Sequence, residues 1–236
     1  MRGKSYMHTA LTRAETVFGW LYLPIYLLFL PSALASLLRA LQLDLTTFSF
    51  NLLCSGINLA VIVIGFRRFL SQRFFGGSFW RFVQACILGA VMHYVGSWLI
   101  GFLADQFRQV LPRYNNDVID SFVQRSPNIM LAVTILVAPI VEETLFRGVV
   151  FGSLCRHSRV LAYAASVLLF AFLHSWQFFF TKPVLDVILS TIPYLPAGIA
   201  LAWTYDRADT IWAPITLHAV INAVACGLVA FLPSVS

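Results

Sequence analysis

Seven apolar stretches of about twenty residues each, parted by short polar segments, occupy most of the chain between Val17 and Leu232. That is the length at which a helix rising about 1.5 Å per residue crosses a hydrocarbon layer roughly 30 Å thick. The 236 residues are 59% hydrophobic and 11% charged, where a soluble domain carries about 25% charge. The expected fold is therefore all-α, a polytopic membrane helix bundle with its polar site inside. Spans and short loops use nearly the whole length, which leaves residues 1–236 as a single integral membrane domain.

The first stretch, Val17 to Leu38, follows Arg2, Lys4 and Arg13. It is too long for a signal peptide and lacks a small-residue cleavage site, so it reads as a retained span. Phe48–Phe66 and Phe82–Leu103 follow, joined by a loop holding Arg67, Arg68, Arg73 and Arg81. The aromatics of that loop, Phe74, Phe75, Phe79 and Trp80, suit a membrane interface. Residues 104–127 form the longest polar segment, a solvated loop with a short helix. The remaining spans are Ile129–Leu154, Val160–Phe180, a stretch from Pro183 to Tyr205 interrupted by Pro193 and Pro196, and Ile211–Leu232, with a tight turn at Asp206, Arg207 and Asp209. The count becomes six or eight if an end segment lies along the interface.

The net charge of +6 does not point to nucleic acid, because the basic residues sit at span ends instead of along one face. Arg2, Lys4, Arg13, Arg67, Arg68, Arg73, Arg81, Arg156, Arg159 and Arg207 fall on the side of the N-terminus. Arg39, Arg108, Arg113, Arg125 and Lys182 fall opposite. This bias places the N-terminus in the cytoplasm. Cys54, Cys86, Cys155 and Cys226 are scattered through apolar sequence and read as buried free thiols.

Of three glutamates, two stand side by side, Glu142 and Glu143, inside the fourth stretch. One carboxylate at the centre of a span costs roughly 2.5–3.5 kcal/mol, so both need partners or a task. Arg147 follows Glu143 by four residues and stacks on the same helical face. Glu142 is turned about 100° away and is left for a second role. His174 in the fifth span, and His218 with Asn222 four residues later in the last, are the other inner polar groups. Counted along their helices, these groups reach one level, in the cytoplasmic half of the bilayer.

Glu142-Glu143-x-x-x-Arg147, Phe170-x-x-x-His174 and His218-x-x-x-Asn222, in that order, resemble the CPBP family of intramembrane proteases. That family includes the CAAX prenyl endopeptidases of the Ras-converting type and relatives linked to bacteriocin immunity and abortive infection. The likeness covers a core of about 130–226 and leaves the first three spans unmatched. It implies hydrolysis of a peptide bond in a membrane-associated or lipidated protein or peptide. Glu142 would act as general base, His174 would hold the same water, and His218 and Asn222 would face the oxyanion. Glu143 and Arg147 would form a supporting ion pair, with Phe170 beside them. A zinc ion is an open alternative with Glu142, His174 and His218 as ligands, although no His-Glu-x-x-His segment is present and the metal-free glutamic form is preferred. A non-enzyme, such as a proton-coupled transporter or an immunity or scaffold protein, would use the same buried groups as a relay or as helix glue.

Overall fold

A computed structural model describes residues 11–125 and 127–227. Arg2, Lys4 and the end of the last span at Leu232 lie outside them. The described residues are all-helical and contain four helices long and apolar enough to cross a membrane. These are α1 (Arg13–Ala40), α2 (Thr47–Gly65), α3 (Phe79–Gln106) and, after the shorter α4 (Tyr114–Arg125), α5 (127–154) and α6 (Arg159–Leu173), the helix α7 (Val184–Ala208). The last, α8 (Trp212–Ala225), is again shorter. This is an integral membrane protein.

Short hydroxyl side chains start the helices. Thr12 and Glu15 form a reciprocal cap on α1, and Thr46, Ser78 and Ser158 accept from the backbone N–H three residues on at the starts of α2, α3 and α6. Glu15 does more than cap, since its other oxygen accepts from the N–H of Phe69 at 3.0 Å and ties α1 to the loop after α2.

α5 is the central element, packed against α1, α2, α6, α7 and α8, and every residue from Val141 to Phe151 is buried. In lipid the hydrophobic effect does not draw helices together, so close packing and buried hydrogen bonds must do it. α3 lies along α7 through small residues: Ala85 is buried and its carbonyl accepts from Thr204 Oγ1 at 3.3 Å, and a Cβ on Gly96 would stand 3.0 Å from Pro196. A Cβ on Gly198 would meet Val167 of α6 at 3.0 Å, a contact that only glycine makes without displacing the neighbour.

Several boundaries differ from the sequence expectation. The fifth span does not run to Phe180: α6 ends at Leu173, His174 caps it, and a separate tight turn covers Trp176–Phe180. The side chain of Ser175 bonds Thr191 Oγ1 at 2.8 Å, which draws the chain out of the helix there. Asp206 and Arg207 belong to α7, which ends when Asp209 adopts a left-handed conformation with φ of 56°. Of the four cysteines only Cys54 is buried; the other three are half-buried, and none is in a disulfide among the described residues. The proline-marked interruption before Leu195 is present as a tight turn over Ile192–Tyr194, and the polar segment after α3 does hold a short helix, α4.

Candidate active site

The two adjacent glutamates have opposite surroundings. Glu143 is fully buried, and its Oε1 accepts from Arg147 Nη1 at 3.0 Å and from His218 Nδ1 at 2.8 Å. Arg147, also fully buried, donates from Nη2 to the carbonyl of Gly198 at 3.1 Å and lays its guanidinium 4.4 Å from the centre of the Phe170 ring. One charge pair thus joins α5, α6, α7 and α8. A planar, multiply donating cation is the group that can do this, which a lysine could not copy.

Glu142, one residue earlier, faces a cavity of about 550 Å³. Its Oε2 is buried without a hydrogen-bond partner, as are Glu143 Oε2 and Arg147 Nε, but of these residues only Glu142 lines the cavity. A buried polar atom left unpaired costs about 1–3 kcal/mol, more when charged, and at Glu142 the adjoining cavity gives room for a polar molecule beside the carboxylate.

His174, His218 and Asn222 line the same cavity, so the structure brings together all four groups named from the sequence. His174 Nδ1 lies 2.9 Å from the carbonyl of Phe170. A carbonyl only accepts, so that nitrogen carries the proton and Nε2 is an acceptor. The ring is held by Phe170, with centroids 4.8 Å apart, and by stacking on Tyr194 at 4.2 Å. His218 is fixed from the Glu143 side in the same manner, leaving its Nε2 unused. Asn222 donates one amide hydrogen to the carbonyl of Thr134 at 2.8 Å and retains a second. Among the described residues, no three His, Cys, Asp or Glu side chains are grouped so as to hold a metal ion.

The N-terminal helices contribute cavity residues that the sequence reading passed over. His93 of α3 lines the cavity, with its Nδ1 buried and unpartnered. Asn51, Ser55 and Asn58 of α2 form a polar stripe, and Asn58 accepts from Tyr22 at 2.7 Å. The signal was present: positions i, i+4 and i+7 share one helical face, and three polar residues so spaced in an apolar span indicate an inward face.

Residues 124–224 match the model of a family described as Type II CAAX prenyl endopeptidase Rce1-like. A Bacillus subtilis (strain 168) protein named "Putative membrane peptidase YdiL" is 28% identical over 116 residues, which are 46% of this chain and 40% of that protein. The chain thus spans about two-fifths of the length of that relative. No solved structure matches.

Proposed function

We propose that this protein is an intramembrane endopeptidase that hydrolyses a peptide bond of a membrane-associated substrate with water activated by Glu142. The observation that carries this reading is the division of labour within the glutamate pair. Glu143 is committed through Oε1 to Arg147 and His218 and lies outside the cavity lining, whereas Glu142 lines the cavity and is in neither of those bonds. Helix glue would need one such carboxylate, and Glu143 with its two bonded partners already fills that part. The second is explained by chemistry.

In the mechanism, water donates one hydrogen bond to His174 Nε2 and loses its other proton to Glu142 as its oxygen attacks the carbonyl carbon. The charge that develops on the carbonyl oxygen is met by the second amide hydrogen of Asn222. It is also met by Nε2–H of His218, when that ring is protonated on both nitrogens against Glu143. Collapse of the tetrahedral intermediate breaks the C–N bond, and Glu142 returns its proton to the leaving amine. Every step is supplied by side chains, with no metal. The Rce1-like match and the peptidase name of the Bacillus relative support the reaction class, and a prenylated C-terminus is one substrate consistent with it.

The test uses the purified chain in detergent with a farnesylated peptide ending in Cys and three further residues, alongside an unprenylated peptide pool, with products read by mass spectrometry. Cleavage that survives exhaustive chelation is expected. Activity lost on chelation and restored by zinc would reassign Glu142, His174 and His218 as ligands, and no cleavage of either probe would favour the non-enzyme reading.

A further inference from the structure

His174 holds its place with little help from its own helix. α6 ends at Leu173, so His174 caps the helix instead of continuing it, and helical register alone does not set its ring. The hydrogen bond from Nδ1 to the Phe170 carbonyl, 2.9 Å long, fixes one ring atom and leaves the imidazole able to swing about that contact. A face-on neighbour removes this freedom. Tyr194 is that neighbour: its ring lies 4.2 Å from the imidazole between centroids and 21° from parallel, whereas Phe170 meets the imidazole at 55°.

Tyr194 is itself tied down. It closes the tight turn Ile192–Tyr194 beside Pro193, and its hydroxyl donates to Asn116 Oδ1 at 2.7 Å. Asn116 stands in the first turn of α4, where the neighbouring Tyr114 ring lies 5.3 Å from that of Phe178 and 5.0 Å from Lys182 Nζ. Asn116, Tyr194 and His174 all line the cavity. The path from Asn116 to the imidazole is thus two contacts long, and it begins outside the residues 124–224 that match the family.

The fold has a second tie at the same place. Ser175 Oγ and Thr191 Oγ1, 2.8 Å apart, join the chain after α6 to the helical turn just before Ile192, and this contact does not touch the imidazole. The Tyr194 ring adds something different, a flat surface against the ring whose Nε2 is left to accept.

We infer that Tyr194, anchored by Asn116, is a positioning residue for the reaction, holding the His174 imidazole in the plane in which Nε2 accepts from the attacking water. The water comes from the hydrolase reading, on which the inference rests; the positioning comes from the stack and the hydroxyl tether. Misplacing such a group by about 1 Å can lower the rate by roughly 10²-fold.

The test is steady-state kinetics of the purified full chain on the peptide cleaved in the preceding assay, with thermal unfolding in parallel. Tyr194→Leu removes ring and tether and should lower kcat by about 10²-fold, with KM within about twofold of wild type. Tyr194→Phe keeps the ring and loses the tether, as Asn116→Ala does from the other side. Each should lower kcat by roughly tenfold, and the two combined by no more than either alone, because they cut one link. Thr191→Val cuts the parallel tie; it should lower the thermal transition and keep kcat per folded molecule. The inference is overturned by a raised KM at unchanged kcat, which makes Tyr194 a substrate contact, by additive losses in Tyr194→Phe and Asn116→Ala, or by a kcat loss in Thr191→Val equal to that in Tyr194→Phe. A second readout needs no turnover. In carbon–proton spectra of the chain labelled at its five histidines, the His174 ring protons, assigned by their loss in His174→Gln, should lie upfield through the ring current of Tyr194. They should move downfield in Tyr194→Leu and change less in Tyr194→Phe, which carries the criterion should Tyr194→Leu not accumulate. Unmoved signals overturn the positioning even in an active peptidase. Moved signals in a protein that cleaves neither probe keep the positioning and discard the reaction.

Discussion

The first three helices and the last four share one membrane but are built differently. In α1, α2 and α3 only 22%, 11% and 6% of the most apolar window is buried, against 39% in α7 and the unbroken buried run Val141–Phe151 of α5. Residues such as Ile64 and Trp98, 72% and 67% exposed, face outward where lipid would lie. In lipid, apolar character alone does not locate a core, because tails and cores are equally apolar. What separates the two regions is where charge is buried and paired. The C-terminal half holds Glu143, Arg147 and His218 in one network, whereas the N-terminal half sends a few amides and His93 to the cavity.

The contrast is broken most severely at Arg147. Arg147→Ala leaves the Glu143 carboxylate buried with one partner fewer, and removing one member of a buried pair costs about 3–5 kcal/mol. A loss of folded, monodisperse protein in detergent is expected. A variant as stable as wild type but inactive would make Arg147 a substrate contact. Glu142→Gln comes next: it keeps the shape and removes the base. Cleavage should fall by about 10²–10⁴ while the thermal transition stays in place. Full cleavage by this variant would remove Glu142 from the mechanism, and unfolding would make it structural.

Asn222→Ala sharpens the comparison within the C-terminal half. Loss of one oxyanion donor lowers turnover by about 10²–10³, and the retained bond to Thr134 is lost with it, so a small destabilisation should accompany the kinetic defect. A purely structural Asn222 would show the stability change without a change in turnover per folded molecule. The smallest effect belongs to the N-terminal perimeter: Ile64→Ala should alter stability by no more than about 0.5 kcal/mol and leave cleavage unchanged. A large loss there would mean that α2 packs against a partner on its outer face.

Much of this was legible in the chain. The length and composition of the apolar stretches determined the helical membrane class, since a segment of that kind has few other ways to satisfy its backbone in lipid. The spacing of Glu143 and Arg147 determined their pairing, because helix geometry places i and i+4 together without help from the rest of the fold. Proline and Ser or Thr positions marked interruptions and helix starts, which are local matters. The tertiary structure alone decided that His218 spends Nδ1 on Glu143 and that Arg147 reaches Gly198, because both contacts join residues far apart in the chain. It also decided that α6 stops at His174, and that α2 and α3 supply polar residues to the cavity. Last, it decided where the bundle leaves a gap, since the cavity lining takes no residue from 59–92, 143–169 or 198–217. Counting residues along a helix gives depth, whereas the side on which a cavity opens depends on which neighbouring helices leave a gap, and no single span encodes that.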